Sequence, residues 1–499
     1  LRRTRLLAGE DPHNPGYLDT HPLVREYFGE QLRNQKASAW KECNRRLYSY
    51  YRTLAPQLPG SFGEMEPLLL AGICGCNAGL YHEALHEVYI PRIQRRTICF
   101  AANVLGARGA LLTVLSHFFE HGRWGSLVRT AAKGQRLAPE DQLFILMQAA
   151  LYLTATRGMG APEARICYER AESLSNSLDN PQLQYRALMG QWRYSLFTDK
   201  GSATLQIAER IHSLAQKQND SAVLVGGYIA LACTHHFLGD FETARERAMC
   251  AVQIWRSGAM RSHLEEPIAA GVACLWYKAL SDWHFGEIAA CHATMAEAIT
   301  VAQEMNDMHG LAAALFWAAA IGQYERNPAE VERLASDLIA RSMSHNFPIW
   351  LAMGAILRGW TRSASGDTAN GISWIEAGIR DFRATGSIAA LPYFLALKAE
   401  ALHLADRTSE ALEAIREAQV VIERFEERWW LAELHRLRGV FLVAIGADET
   451  QIEASLCAAI STAKQQKSIS LEKRAEATHA EYHRQKASGS GGRGLRLPL

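Results

Sequence analysis

The stretch LGDFETARERAMCA at 238–251 contains the features that decide the fold. Gly239 permits the positive φ at which a helix commonly ends, and Asp240 can cap the N-terminus of the helix that follows. Phe241 is large enough to fill the gap between two paired helices. Two alanines, seven residues apart in this stretch, lie on one helical face, where small side chains let helices approach. The stretch therefore predicts two helices joined by a tight turn.

Turn residues of the same kind recur along the chain with a period of about forty residues. Downstream the steps are regular, at Gly286, Arg326, Gly366, Asp406 and Gly446. Upstream the series continues with looser steps, at Gly79, Gly122, Gly160, Asp199 and Gly239. A fixed period of this length indicates a solenoid, in which each unit buries its apolar face against its neighbours. The sequence predicts an all-α fold, a right-handed α-solenoid of about ten to eleven helical hairpins.

The chain divides into four predicted regions. Residues 1–35 are predicted to form two short strands and a helix, which is the second half of a winged helix. Residues 36–63 are predicted as a linking helix and residues 64–484 as the superhelical repeat domain. Residues 485–499 are rich in Gly, Ser and Arg and are predicted as a flexible tail. Because the sequence opens with Leu-Arg-Arg rather than Met, we expect further sequence upstream.

Composition argues against several functional classes. The 499 residues include 53 basic and 52 acidic side chains, a net charge of +1, so we expect no bulk attraction to nucleic acid or membrane. The ten cysteines are scattered without a CxxC pair, which is typical of free thiols in a reducing cytosol. We identify no signal peptide and no apolar run long enough to span a bilayer. These features predict a cytoplasmic protein, and no cofactor is indicated.

One motif with catalytic chemistry is the HExxH pattern, His82-Glu83-Ala84-Leu85-His86. On a helix both histidines would face the same way and could hold zinc, with Glu83 as the general base of a hydrolase. However, Ala84 is needed as the small packing residue of the first repeat, which turns the histidines toward the exposed side. No third ligand is marked at a known spacing. We therefore expect no metal here and keep a zinc hydrolase as a minor alternative.

The inner face of the solenoid is the predicted binding site. The first helix of each hairpin is expected to line the concave surface, and counting back from each turn gives a stripe of aromatic, histidine and charged residues. Such residues are enriched at recognition surfaces; the alternative is that individual members pack between adjacent hairpins. The adjacent Trp429 and Trp430 are expected in the core. The candidate binding residues are His236, Phe237, Trp276, Trp283, His284, Phe316, Gln323, Tyr324, Trp360, Tyr393, His403, Glu433 and Arg436.

Four stretches resemble one protein family. HPLVREYFGEQL at 21–32 resembles the last helix of the winged-helix segment of bacterial STAND NTPases, and AGLYHEALHEVYIPRIQR at 78–95 resembles the repeat that follows it. FPIWLAMGAILRGW at 347–360 and AELHRLRGVFLVA at 432–444 look like the tetratricopeptide (TPR) halves of large bacterial signalling ATPases. The hairpin pattern is similar to that of TPR proteins, on helices longer than those of the usual unit of about 34 residues.

The resemblance implies the sensor half of a STAND NTPase. A protein or peptide partner, or a small-molecule inducer, would bind in the superhelix groove and release an upstream nucleotide-binding module into an active assembly. The resemblance also implies that Arg2, Arg3 and Arg5, beside the wing, belong to an internal clamp rather than to a DNA contact. The chain has no GxxxxGK[ST] motif, so ATP hydrolysis is not assigned to it and we do not predict an enzyme.

Two other functions fit the same architecture. The chain could also be the sensor region of an ATP-dependent transcription regulator, in which another domain would bind DNA. A passive assembly scaffold without a regulated ATPase is a further alternative. The upstream sequence would discriminate among these, because an ATPase or a DNA-binding domain would be found there only in the first two cases.

Overall fold

A computed structural model of the chain shows helices almost throughout the part that it describes. Within that part, the only β-type pairing is a single antiparallel bridge between Phe119 and Leu127. The predicted strands of the winged helix, the arginines beside them and Gly122 lie outside the described residues. The described residues are 22–96, 100–103, 105–120, 123–128, 137–178, 180–218, 220–258, 268–487 and 497–499.

The chain forms two compact units, Leu1–Ile145 and Leu146–Leu499. In the first unit, a short helix, α4 (Tyr81–Glu83), continues directly into a π-helical segment, Ala84–Ile93. The boundary between the units falls inside α7 (Pro139–Arg157). The helices that precede α7 are α1 (Pro22–Gln35), α2 (Ala37–Leu54), α3 (Phe62–Ala78), α4 (Tyr81–Glu83), α5 (Phe100–Asn103) and α6 (Arg108–Ser116).

The second unit is a TPR-like α-solenoid, as the repeat predicted. In its described residues the helices from α9 to α22 pair consecutively into seven hairpins, and α23 follows the last of them. The helices after α7 are α8 (Pro162–Ser175), α9 (Pro181–Thr198), α10 (Gly201–Gln218), α11 (Ser221–Leu238), α12 (Phe241–Arg256), α13 (Ala270–His284), α14 (Ile288–Glu304), α15 (Met308–Tyr324), α16 (Pro328–His345), α17 (Pro348–Ala364), α18 (Thr368–Ala384), α19 (Leu391–Leu404), α20 (Thr408–Phe425), α21 (Leu431–Ala444), α22 (Glu449–Gln465) and α23 (Ile469–Ala487).

Seven of the predicted turn positions have the backbone conformation that ends a helix. The five residues of the regular downstream series all have positive φ, between 59° and 94°: Gly286, Arg326, Gly366, Asp406 and Gly446. Upstream, Gly79 and Gly239 also have positive φ, 82° and 81°. Asp199 does not, since its φ is −111°, and near Gly160 it is Gly158 that has positive φ, 110°. The forty-residue period is therefore confirmed most closely in the downstream half.

The hairpin at 238–251 has the predicted local structure. The Gly239 amide donates to the carbonyl of His236 at 3.0 Å, and the next amide donates to His235 at 2.9 Å, which is the Schellman arrangement of a helix end. Asp240 accepts a hydrogen bond from the Thr243 amide at 3.2 Å and so caps α12. Phe241 is fully buried, because it lies between the paired helices and their neighbours.

One helix departs from the expectation about apolar runs. Helix α11 is long and apolar enough to cross a membrane by length and composition, with a mean hydropathy of 1.4 over 18 residues. The expectation that no such run exists was wrong for this helix. However, 67% of those residues are buried inside the protein, which is typical of a core helix, so this one helix is weak evidence for a membrane span.

Candidate partner-binding site

The predicted binding residues all lie in the second unit, and most are buried. Phe237 and His403 are partly exposed, whereas the other eleven candidates are buried. The structure brings most of them together in the interior, but they do not line an open groove. Their role in binding stays a prediction, and a ligand could reach the eleven buried candidates only if the interior opened.

The interior is filled because turns of distant hairpins meet there. The Ile388 amide donates to the carbonyl of Phe197 at 2.9 Å, and the Arg428 amide donates to the carbonyl of Phe237 at 2.8 Å. His284 Nδ1 lies 2.8 Å from the hydroxyl of Ser468. These contacts join residues separated by about 190 positions in sequence. Hairpins far apart in the series are thus bonded directly across the interior.

Aromatic rings surround His236 in this interior. Its ring centroid lies 5.4 Å from that of Trp429, 5.7 Å from that of His284 and 6.0 Å from that of Trp317. Phe241 stacks on His284 with centroids 3.5 Å apart and planes 13° from parallel. Burial lowers the pKa of His236 to about 3 and lowers the pKa of His284 well below its usual value. Both imidazoles are therefore neutral at physiological pH.

Five charged side chains, which we call the interior charge network, lie beside these rings. Glu433 Oε1 is 2.8 Å from Arg436 Nη2, and the same oxygen is 3.1 Å from Arg326 and 3.3 Å from Arg474. Burial raises the pKa of Glu433, but the guanidinium groups of Arg436, Arg474 and Arg326 outweigh that effect and hold it well below the usual range. Arg326 also pairs with Glu400.

The interior charge network connects predicted and unpredicted residues. Trp360 Nε1 donates to Glu400 Oε2 at 2.9 Å, so one of the candidate tryptophans is held by the network. Sequence reasoning found Glu433 and Arg436 but missed Glu400, although Glu400 lies six residues before its turn as Trp360 does, and missed Arg474, which lies on α23 after the last hairpin. With three guanidinium groups and two carboxylates, the network carries an excess of one positive charge.

A short non-helical segment, Leu497–Leu499, lies against the interior charge network. Arg436 Nη1 donates to the backbone carbonyl of Pro498 at 3.3 Å and to Thr478 Oγ1 at 3.2 Å. Leu497 is 7% exposed, and Leu499 packs partly buried against the same hydrophobic core. These residues belong to the region predicted as a flexible tail, which stays a prediction for residues 488–496, outside the described part of the chain.

A small pocket opens beside Phe237, at the edge of the same interior. Glu427 lines it and is almost fully buried. Its carboxylate accepts hydrogen bonds from the Ala390 amide at 2.9 Å and from Trp429 Nε1 at 2.6 Å. Burial raises the pKa of Glu427 to about 8, against the opposing effect of these two donors. The pocket therefore contains a carboxyl group that is largely protonated at neutral pH.

The HExxH residues lie in the first unit, at the start of the π-helical segment. His82 and His86 are exposed and their ring centroids are 4.5 Å apart, while Ala84 is fully buried, as the packing argument predicted. His86 Nε2 pairs with Asp141 Oδ1 at 2.9 Å. Among the described residues, the group of three side chains suited to hold a metal lies elsewhere in the chain. The geometry adds no third ligand to this motif.

Sequence comparisons match only parts of the chain. The family model for anaphase-promoting complex subunit 5 matches residues 168–237 and 270–325. An uncharacterized protein of Rhizobium meliloti is 26% identical over 206 residues, which are 41% of this chain. That match covers 20% of the relative, so the chain spans about a fifth of its length.

Similar solved structures are also helical-repeat proteins, at low identity. A Rap protein complexed with competence and sporulation factor has a TM-score of 0.49 and 11% identity, covering 70% of this chain and 94% of that one. NprR in complex with its cognate peptide NprX has a TM-score of 0.45 and 10% identity, and the match covers 71% of this chain and 99% of that one. A STAND protein with a TPR sensor from Pyrococcus horikoshii has a TM-score of 0.36 and 13% identity, and the match covers 90% of this chain and 74% of that one. None of these TM-scores reaches 0.5, so the likenesses carry no argument about function.

Proposed function

We propose that the second unit binds a peptide or protein segment in its interior. In this role it would be the TPR-like sensor of a cytoplasmic signal-transduction protein of the STAND type. The observation that carries the proposal is the segment Leu497–Leu499, in which Leu497 is buried in the hydrophobic core and the Pro498 carbonyl accepts a hydrogen bond from Arg436, while Pro498 itself is exposed. The STAND assignment is supported by the sequence resemblance described above, and the upstream nucleotide-binding module belongs to that part of the proposal.

The contacts of this segment favour a peptide over a small molecule. Arg436 binds a backbone carbonyl, a group that every peptide offers, and two leucines on either side of Pro498 supply apolar contact. The excess positive charge of the interior charge network favours further carbonyl or carboxylate groups at this place. A short apolar segment with a non-helical backbone satisfies all three features.

Binding would then work by competition. An incoming segment displaces residues 497–499 and shifts the interior toward a more open conformation, because it binds that conformation more tightly than the chain's own segment does. In a STAND protein this shift would release the upstream module. A transcription regulator would use the same sensor with a different effector, whereas a passive scaffold would bind without the shift.

The test uses the full chain and a fluorescein-labelled peptide with the sequence of residues 491–499, GGRGLRLPL. Leu497→Asp in the chain should release the chain's own segment, because a carboxylate is costly to bury among apolar side chains. We expect this variant to bind the labelled peptide at least about tenfold more tightly than the unchanged chain does, as measured by fluorescence anisotropy.

Two controls make the result specific. The same peptide with Asp in place of the residue equivalent to Leu497 should not bind either protein. Val420→Asp, at a site 62% exposed on α20, should leave binding unchanged because it does not touch the segment. Equal peptide affinity for the Leu497→Asp variant and the unchanged chain would refute the proposal.

A further inference from the structure

Two histidines one turn apart on α23 face a glutamate on α22. His479 Nε2 lies 3.0 Å from His483 Nε2 and 2.9 Å from Glu453 Oε2. Glu453 Oε1 lies 3.3 Å from His483 Nε2. In the part of the chain that the structure describes, this is the group of three potential metal-ligand atoms that all lie within 4.8 Å of one another.

Hydrogen bonds alone do not account for the three contacts among His479, His483 and Glu453. An ionised carboxylate only accepts hydrogen bonds, so each Nε2 that faces it should carry a proton. Two protonated Nε2 atoms 3.0 Å apart, however, point hydrogen at hydrogen. If one Nε2 is deprotonated to accept from the other, its lone pair faces a carboxylate oxygen instead. With Glu453 ionised, no assignment of the two protons makes all three contacts favourable, whereas a cation between them satisfies every lone pair.

The spacing of the three atoms matches a transition-metal ion. Imidazole nitrogen and carboxylate oxygen bind Zn²⁺ at about 2.0–2.2 Å. The two imidazole nitrogens are 3.0 Å apart and each lies within 3.3 Å of an oxygen of the Glu453 carboxylate, so an ion beside the three groups can approach both nitrogens and one carboxylate oxygen at about that distance. We propose that Glu453, His479 and His483 form a binding site for a divalent transition-metal ion such as Zn²⁺, with the fourth position left to water.

This site would connect the last two helices at the place where α23 reaches the interior. His479 is next to Thr478, which accepts a hydrogen bond from Arg436. One turn earlier, Arg474 pairs with Glu433 of the interior charge network. A metal ion held by α22 and α23 together would fix α23 against α22, and with it the contacts that α23 makes in the interior. The site is partly exposed, since His483 is 50% and Glu453 27% exposed, so an ion can enter from solvent.

The test is a zinc titration of the full chain after dialysis against a chelator, followed by isothermal titration calorimetry and by metal analysis of the protein. We expect one Zn²⁺ per chain, bound with micromolar or tighter affinity, and a higher melting temperature with zinc. His483→Ala should weaken binding by at least about tenfold and abolish the zinc-dependent rise in melting temperature. Because His483 is half exposed, this substitution leaves the fold intact.

Two matched variants separate this site from other histidines. His82→Ala with His86→Ala removes a second histidine pair of the same spacing, and His292→Ala removes a histidine paired with a single carboxylate, Glu325, at 2.9 Å. Neither should change the zinc affinity. Zinc binding that survives His483→Ala, or that is lost in the His82/His86 variant instead, would overturn the proposal, as would no binding at all. None of these outcomes depends on whether the interior binds a peptide.

Discussion

Helices α15 and α16 form one hairpin, yet their surroundings differ sharply. Fourteen of the 17 residues of α15 are buried, and they lie on every side of the helix. Only five of the 18 residues of α16 are buried, along one stripe. In an open solenoid both helices of a hairpin keep a solvent-facing side. In this hairpin the first helix therefore belongs to the core, whereas the second helix faces the solvent along most of its surface.

The largest expected effect comes from a charge placed on the inner helix. Ala320 on α15 is fully buried, and Ala320→Asp would bury an unpaired carboxylate, which we expect to cost more than about 3 kcal/mol of unfolding free energy or to prevent folding of the second unit. Ala340→Asp on the exposed side of α16 should change stability by less than about 0.5 kcal/mol. Urea unfolding followed by circular dichroism measures both effects. Similar losses of unfolding free energy in the two variants would contradict the difference in burial between α15 and α16.

The next effect concerns the interior charge network. Glu433→Ala leaves the guanidinium groups of Arg326, Arg436 and Arg474 without a shared carboxylate, and removal of one partner from a buried ion pair costs about 3–5 kcal/mol. The control is Glu410→Ala, which removes an exposed partner of Arg407 and should leave stability unchanged within error. Urea unfolding measures both variants. If Glu433→Ala lowers the unfolding free energy by no more than the control does, solvent reaches the interior charge network.

A smaller effect is a pH dependence from Glu427. Its pKa is raised from 4.5 to about 8 in the folded protein, so the folded state keeps a proton that the unfolded state loses. The stability that this proton provides is complete below about pH 4.5 and is lost as the pH rises through about 8. We expect the unchanged chain to lose about 2–4 kcal/mol of unfolding free energy between about pH 5 and pH 8 because of this group. Glu427→Gln, which resembles the protonated acid, should not show this loss.

The neighbouring Glu426→Gln is the matched control for this prediction. The Glu426 carboxylate accepts a hydrogen bond from the Ser202 amide, which lowers the pKa of Glu426. Substitution of Glu426 should therefore leave the dependence of the unfolding free energy on pH unchanged between about pH 6 and pH 8. His236 contributes with the opposite sign, because its lowered pKa removes stability as the pH falls below about 6.5. Identical pH slopes for Glu427→Gln and the unchanged chain would show that Glu427 is not desolvated.

The sequence predicted the turns inside the hairpins but not those between them. Asn306, Asn346, Gly386, Glu426 and Lys467 also have positive φ and follow nearly the same forty-residue period. Gly386, Asn306 and Asn346 are of residue types that adopt this conformation readily, whereas Glu426 and Lys467 are not. At Glu426 and Lys467 the local sequence therefore leaves little trace of the turn.

The candidate site was predicted in part. The stripe of aromatic and charged residues was identified from its position in each hairpin, and the structure brings most of it together. Its burial was not predicted, because closure of the interior depends on contacts such as that between Phe197 and Ile388, for which no local pattern exists. One available signal was missed: the sequence of α15 is apolar on all sides, which indicates a helix that is buried on all sides.

The His479–His483 pair carried a readable signal as well. Its i, i+4 spacing is the same as that of the HExxH histidines, His82 and His86. The third ligand, Glu453, lies 26 residues upstream of His479 on the previous helix, and only the packing of α22 against α23 brings it close. Sequence motifs that lie within one helix are easier to recognise than sites that two helices share.

The hydrogen bond from Arg428 to the carbonyl of Phe237 has a consequence for protein synthesis. A ribosome adds about 5–20 residues per second, so a residue about 190 positions downstream follows after roughly 10–40 seconds. During that delay the apolar sides of α11, α13 and α15 have no partner from the later hairpins. The nascent chain therefore needs a chaperone or a slow, compact intermediate until its last repeats emerge, unlike repeat proteins whose units fold one after another during translation.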